Sequence, residues 1–117
     1  MSKEIYVQKD KREAGRNMKQ IVLICSAGMS TSLLVLHMRD AAKTDNYECD
    51  INAYPIADAP EVIPEADIVL LGPQVRYMSN KLKKEYPEKI IEAIDMQVYG
   101  MVDGKGALAQ ARRSMED

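Results

Sequence analysis

Four short apolar runs, three of them rich in β-branched residues, constrain the fold of this chain more than any other feature of its sequence. They occupy residues 20–24, 49–54, 67–71 and 90–94, and longer segments with helical spacing separate them. A strand that is buried on both faces has a short, nearly continuous apolar sequence of this kind. Parallel strands are joined by crossover connections, which are usually helices. We therefore expect a single α/β domain with a four-stranded parallel sheet, strand order 2-1-3-4, flanked by helices on both faces.

The segments between these runs carry the helical signals. Helical spacing at positions 33, 34, 37, 38 and 41 predicts one helix. A second helix is predicted at residues 77–86, where Pro87 stops it. A third is predicted after Gly106. Residues 1–18 are dense in charge and read as an extension outside the core. We expect the folded domain to occupy residues 19–117.

The composition excludes several classes of function. The chain has 16 basic and 18 acidic side chains, so it lacks the net basic field that attracts nucleic acid. Its longest apolar runs are far shorter than the roughly 20 residues that span a bilayer. Two cysteines without a secretory signal favour free thiols in a reducing compartment. We therefore expect a cytoplasmic protein that reaches a membrane only through a partner.

A cysteine and a set of small residues follow the first run, where a strand is expected to pass into a helix. Backbone amides at a helix start bind anions and stabilise a nearby thiolate. The predicted nucleophile is Cys25, and the predicted phosphate-binding loop consists of Ser26, Ala27, Gly28, Met29, Ser30, Thr31 and Ser32. The alternative is that Cys25 is a small buried hydrophobe and that Ser30 or Thr31 is an ordinary helix N-cap.

Two kinds of phosphoryl chemistry use a cysteine above such a loop. The protein tyrosine phosphatases require a cysteine, five intervening residues and an arginine whose guanidinium holds the phosphoryl group in the transition state. Here the arginine position is Thr31. No Asp is obviously placed as the general acid, since the nearest stretch, Asp58-Ala59-Pro60, lies in a different connection. A cysteine that accepts a phosphoryl group and passes it on suits this loop better than a hydrolase does.

Three segments of the chain resemble one family. KQIVLICSAGMSTSLLVLHMRDAA, ADIVLLGPQVRYM and IDMQVYGMVDGKGAL are similar, in this order, to enzyme IIB of the lactose/cellobiose (chitobiose) class of the bacterial phosphoenolpyruvate-dependent sugar phosphotransferase system (PTS). The resemblance covers about residues 19–114, and it implies the same four-stranded parallel fold. By this resemblance, we expect the domain at residues 19–117 to be of the PTS EIIB type.

The resemblance implies a phosphoryl carrier. In this family the cysteine after the first strand accepts a phosphoryl group from a phosphohistidine of enzyme IIA and donates it to a sugar held by the membrane component IIC; the matching residue here is Cys25. A β-linked disaccharide of the cellobiose, lactose or chitobiose type is the implied acceptor, and no cofactor or metal is implied. The rivals are a low-molecular-weight-type phosphatase and a regulatory binding module that responds to phosphorylation.

The remaining candidates have structural alternatives. The third-strand loop either lines the phosphate site or is an ordinary strand exit, and its residues are Gly72, Pro73 and Gln74. His37, the only histidine of the chain, is the alternative phosphoryl acceptor, but we expect it to be structural or a surface residue. We expect Cys49 to be a packing residue. Asp95 follows the fourth run, where it either orients a loop or caps the next turn.

Overall fold

The sheet has four parallel strands in the order β2-β1-β3-β4. In a computed structural model of the chain, the described residues are 18–26 and 31–117. The strands are β1 (Lys19–Cys25), β2 (Cys49–Pro55), β3 (Ile68–Leu71) and β4 (Ile90–Ala93). The predicted class and strand order are confirmed, and each strand end lies within one residue of its predicted position.

The helices follow the strands along the chain. They are α1 (Ser32–Thr44), α2 (Ala59–Val62), α3 (Ser79–Glu85), α4 (Met96–Gly100) and α5 (Gly104–Met115), with 3-10 turns at Ile56–Asp58, Ile63–Glu65 and Pro73–Met78. The predicted helix at 77–86 is wrong at its start, because residues 77 and 78 belong to the preceding 3-10 turn. The last helix begins earlier than predicted, since Asp103 caps it by accepting a hydrogen bond from the Gly106 amide at 2.9 Å.

Alternate residues of the strands point to opposite faces of the sheet, and each face has its own core. Ile21 and Leu23 of β1 pack toward α1 and α5, whereas Val22 and Ile24 pack toward α2 and α3. The sheet is thus covered on both sides, which is why the two central strands, β1 and β3, lack the polar alternation of a half-exposed sheet.

α1 and α5 approach each other closely near His37. A Cβ atom at Gly104 would lie 2.3 Å from the carbonyl carbon of His37, so only glycine permits this approach. Nδ1 of His37 donates a hydrogen bond to the carbonyl of Val102 at 3.0 Å. The exposed His37 therefore joins α1 to the α4–α5 turn, in agreement with the structural interpretation of this residue.

Two further expectations concern membrane-spanning segments and the N-terminal extension. Within the described part of the chain, no helix is both long enough and apolar enough to cross a membrane. Residues 1–17 lie outside the described residues, so the proposed extension stays a prediction.

Candidate phosphoryl site at the carboxyl edge of the sheet

Cys25 is the last residue of β1, at the carboxyl edge where ligands bind in open parallel sheets. It shares the odd-numbered face of β1 with Ile21 and Leu23, so its side chain lies on the side of the sheet that α1 covers. The Cys25 side chain is 0% exposed. Its Sγ atom lies 3.4 Å from Oγ1 of Thr31, which is also 0% exposed.

The start of α1 lies directly beyond this pair. The helix begins at Ser32 and runs for 13 residues, and its first turn contains no acidic side chain. The first amides of a helix have no intrahelical acceptor and carry partial positive charge, so this end favours an anion. Lys43 lies in the last turn, where a cation complements the opposite end of the dipole.

The predicted loop residues are only partly within the described chain. Ser26 and Ser32 are exposed, and Thr31 is buried. The other four positions, Ala27, Gly28, Met29 and Ser30, lie outside the described residues. The described part therefore gives the two ends of the predicted loop, one at Cys25 and one at the start of α1.

Thr31 does not act as an ordinary helix N-cap. It occupies the N-cap position of α1, but its side chain makes no capping hydrogen bond and its backbone is already helical, with φ −98° and ψ −3°. Capping threonines usually have extended backbone angles and accept a bond from an amide one turn later. The hydroxyl of Thr31 instead faces the sulfur of Cys25.

The loop after β3 lies against the same cysteine. The amide of Gly72 donates to the carbonyl of Ile24 at 2.8 Å, and a Cβ atom at Gly72 would lie 3.5 Å from Cβ of Cys25. Pro73 opens the following 3-10 turn. The structure thus brings the predicted second loop to Cys25 through Gly72.

Gln74 extends this loop toward α4. Its Nε2 atom donates a hydrogen bond to the Tyr99 hydroxyl at 3.3 Å. Sequence reasoning did not single out Tyr99 as a partner of this loop, although Tyr99 lies within the IDMQVYGM segment that carries the family resemblance. Its hydrogen bond with Gln74, a residue distant in sequence, is what shows that Tyr99 lies beside the loop after β3.

Asp95 caps α4. Its Oδ1 atom accepts hydrogen bonds from the amides of Gln97 at 2.9 Å and Val98 at 3.1 Å. This cap holds the short helix that carries Tyr99. Of the two alternatives for Asp95, the structure shows the capping role.

Cys49 lies at the opposite edge of the sheet, as the first residue of β2. Its side chain is half-buried, and burial, followed by the neighbouring carboxylate of Asp50, raises the pKa of Cys49 to about 11.

Among residues 18–26 and 31–117, no three His, Cys, Asp or Glu side chains are grouped so that they could hold a metal ion.

Comparison with known families assigns the chain to one of them. The sequence model described as "PTS system, Lactose/Cellobiose specific IIB subunit" matches residues 20–110. The chain belongs to this family. It is a sugar-specific IIB component of the lactose/cellobiose type, and IIB components act as phosphotransferases in sugar transport, together with IIA and IIC partners in general.

Relatives of this IIB protein have names that specify different sugars. The oligo-beta-mannoside-specific EIIB component of Bacillus subtilis is 47% identical over 96 residues, which cover 80% of this chain and 93% of that protein. The galactose-specific and cellobiose-specific EIIB components of two Lactococcus lactis subspecies are each 40% identical over 104 residues, covering 83% of this chain and 96% of theirs. Membership of the family and choice of sugar are therefore separate properties.

Solved structures show the same fold. The cellobiose-specific IIB component of Borrelia burgdorferi is 34% identical with a TM-score of 0.73, covering 87% of this chain and 95% of that one. The lactose-specific IIB domain of Streptococcus pneumoniae is 17% identical with a TM-score of 0.74, covering 83% and 97%. The second likeness shows that the fold persists at low sequence identity.

Proposed function

We propose that this IIB protein relays a phosphoryl group through Cys25, from a phosphohistidine of IIA to a sugar held by IIC. The observation that carries the proposal is the placement of Cys25. Its sulfur lies at the carboxyl end of β1, 3.4 Å from the Thr31 hydroxyl that immediately precedes α1. An anion bound above this sulfur would meet the positive end of the helix.

The transfer balances without a cofactor. The sulfur attacks phosphorus, the N–P bond of the phosphohistidine breaks, and the proton of the thiol ends on the imidazole nitrogen that the phosphoryl group leaves. In the second transfer the S–P bond breaks, a sugar hydroxyl oxygen takes the phosphoryl group, and the proton of that hydroxyl ends on the sulfur. Amides of Ser26 through Ser32 would stabilise the charge on the phosphoryl oxygens.

The buried Thr31 argues for a carrier over a phosphatase. A cysteine phosphatase places an arginine at this position, where its guanidinium binds the phosphoryl oxygens. Here the position holds a side chain that is 0% exposed and directed at the sulfur. This position therefore supplies no guanidinium to hold the phosphoryl group during hydrolysis. A carrier must instead retain the phosphoryl group, which requires that no water is activated to attack it.

Exposed apolar side chains near the site suit a docking partner. Leu33, in the first turn of α1, is 52% exposed, and Met96, just beyond β4, is 60% exposed. Both lie at the carboxyl edge of the sheet, as Cys25 does. We propose that IIA and IIC dock at this edge in turn and that the protein works in the cytoplasm, at the membrane only through IIC. The β-linked disaccharides are the proposed sugar class.

The test is phosphorylation by IIA that carries phosphohistidine, followed by intact mass and peptide mapping. We expect one added phosphoryl group on Cys25, which is lost in Cys25→Ser because an alcohol stays protonated at neutral pH and is a weaker nucleophile. The matched control is Cys49→Ser, which should be phosphorylated normally. Chelator should leave this step unchanged.

Three results would contradict the proposal. A phosphoryl group that survives Cys25→Ser and maps to His37 would move the carrier residue. Rapid hydrolysis of an aryl phosphate by the unmodified protein would restore the phosphatase. Phosphorylation of Cys25 without onward transfer to any sugar in the presence of IIC would favour the regulatory module.

A further inference from the structure

The contact between Thr31 and Cys25 is polar, buried and directed at the reacting atom. Both side chains are 0% exposed, and their Oγ1 and Sγ atoms are 3.4 Å apart. The Thr31 hydroxyl is not used to cap α1, although its residue occupies the cap position. This arrangement forgoes an ordinary cap and supplies a hydroxyl to the sulfur instead.

The direction of this hydrogen bond depends on the charge of the sulfur. With a neutral thiol, either atom can be the donor. A thiolate has no proton to donate, so the hydroxyl must then donate to the sulfur. A buried charge without a partner is costly, and hydrogen bonds to charged groups are stronger than those between neutral groups.

We propose that Thr31 is a catalytic residue of the phosphoryl relay, whose hydroxyl donates a hydrogen bond to Cys25 Sγ whenever that sulfur carries negative charge. The inference rests on the proposed function. The sulfur is charged at two moments, before it attacks the phosphohistidine and as the S–P bond breaks toward the sugar. Thr31 keeps its own proton throughout and forms no covalent bond.

The two transfers respond differently to this hydrogen bond. A better stabilised thiolate is a better leaving group, which speeds the breaking of the S–P bond. In the attack step the larger thiolate fraction is partly offset, because nucleophilicity falls as the thiolate becomes more stable. Loss of the hydroxyl should therefore slow release of the phosphoryl group more than its acceptance.

The first experiment measures thiolate formation without any partner protein. In a Cys49→Ser background, which leaves one of the two cysteines, the ultraviolet absorbance of the thiolate is followed against pH, and the Cys25→Ser, Cys49→Ser double variant is subtracted. Thr31→Val removes the hydroxyl but keeps the shape. We expect its thiolate titration to move up by about one pH unit, from the usual strength of a hydrogen bond to a charged group. Thr31→Ser keeps the hydroxyl and should titrate as the parent does.

The second experiment measures the phosphorylated protein. With IIA removed, the phosphoryl group of Thr31→Val should be lost about fivefold more slowly than that of the parent or of Thr31→Ser, which corresponds to a hydrogen bond of ordinary net strength. Thr31→Ala provides the same comparison if Thr31→Val does not fold, and urea unfolding shows which variants are native.

The outcomes separate this inference from the proposed function. A parent-like thiolate titration in Thr31→Val or Thr31→Ala, or a titration of Thr31→Ser as displaced as theirs, would overturn the role of the hydroxyl. Equal lifetimes of the phosphoryl group in parent and Thr31→Val would do the same. A parent protein that accepts no phosphoryl group would instead contradict the proposed function, while the titration would still decide the hydrogen bond.

Discussion

Gly104→Ala tests the close contact between α1 and α5. A Cβ atom there would lie 2.3 Å from the carbonyl carbon of His37 and 2.5 Å from its Cβ and carbonyl oxygen. Ordinary contact begins at 3.4 Å, so α1 and α5 would have to separate by about 1 Å. The obstacle is backbone, which cannot rotate away as the end of a flexible side chain does.

We expect this overpacking to lower the free energy of unfolding by about 3 kcal/mol, the upper part of the usual range. Alanine gains up to about 1 kcal/mol over glycine in a helix, which offsets part of this cost and leaves a net loss of about 2 kcal/mol or more. For a domain of this size that corresponds to a fall in Tm of roughly 8–16 °C. Urea unfolding followed by circular dichroism measures it directly.

Gly100→Ala is the matched control for this change. Gly100 ends α4, and a Cβ atom there has no neighbour within 4 Å. Its stability should equal or slightly exceed that of the parent, because alanine restricts the unfolded chain. If Gly104→Ala unfolds within about 0.5 kcal/mol of Gly100→Ala, the close approach of the two helices does not constrain the fold and the reasoning is refuted.

Two further predictions concern Asp95 and Cys49. Asp95→Ala should cost about 1 kcal/mol in urea unfolding, because it removes the cap of α4, whereas Asp95→Asn should keep most of that stability; equal losses in the two would show that the cap does not matter. Because burial raises the pKa of Cys49 to about 11, the native state retains this proton between about pH 9 and pH 11 while the unfolded state loses it, so stability should fall as pH rises through that window. Cys49→Ser should flatten that part of the pH dependence, and an unchanged slope would contradict the assignment.

The strands were predictable from the sequence because each is short, apolar and buried on both faces. The run at 67–71 has no polar residue after its first position, and Ile68 through Leu71 are all fully buried. Such runs suit a parallel sheet with helices on both sides. Topology then placed Cys25 and Gly72 at one edge, and the structure has them in contact.

The short helices could not be predicted in the same way. α2 and α4 have four and five residues, too few for a helical period to show. The last helix was expected only after Gly106, since two glycines lie at its start. Its first turn is held by the Asp103 cap, and Gly104 is required by the contact with α1, which sequence spacing does not reveal.

The proposed role of Thr31 depends on the orientation of its side chain, which only the structure supplies. The sequence predicts Thr31 as a residue of the phosphate-binding loop, offers it as a candidate N-cap, and places it where a phosphatase would have arginine. In the structure the start of α1 turns this side chain inward, so that its hydroxyl faces the sulfur of Cys25. An arginine in this buried position would have to desolvate its charge or displace the start of the helix.

A hydrolase must bind the phosphoryl group tightly in the transition state and then release it to water. A carrier needs a sulfur that can accept and release the group, and a short neutral donor at the sulfur stabilises its charge without clamping the phosphoryl oxygens.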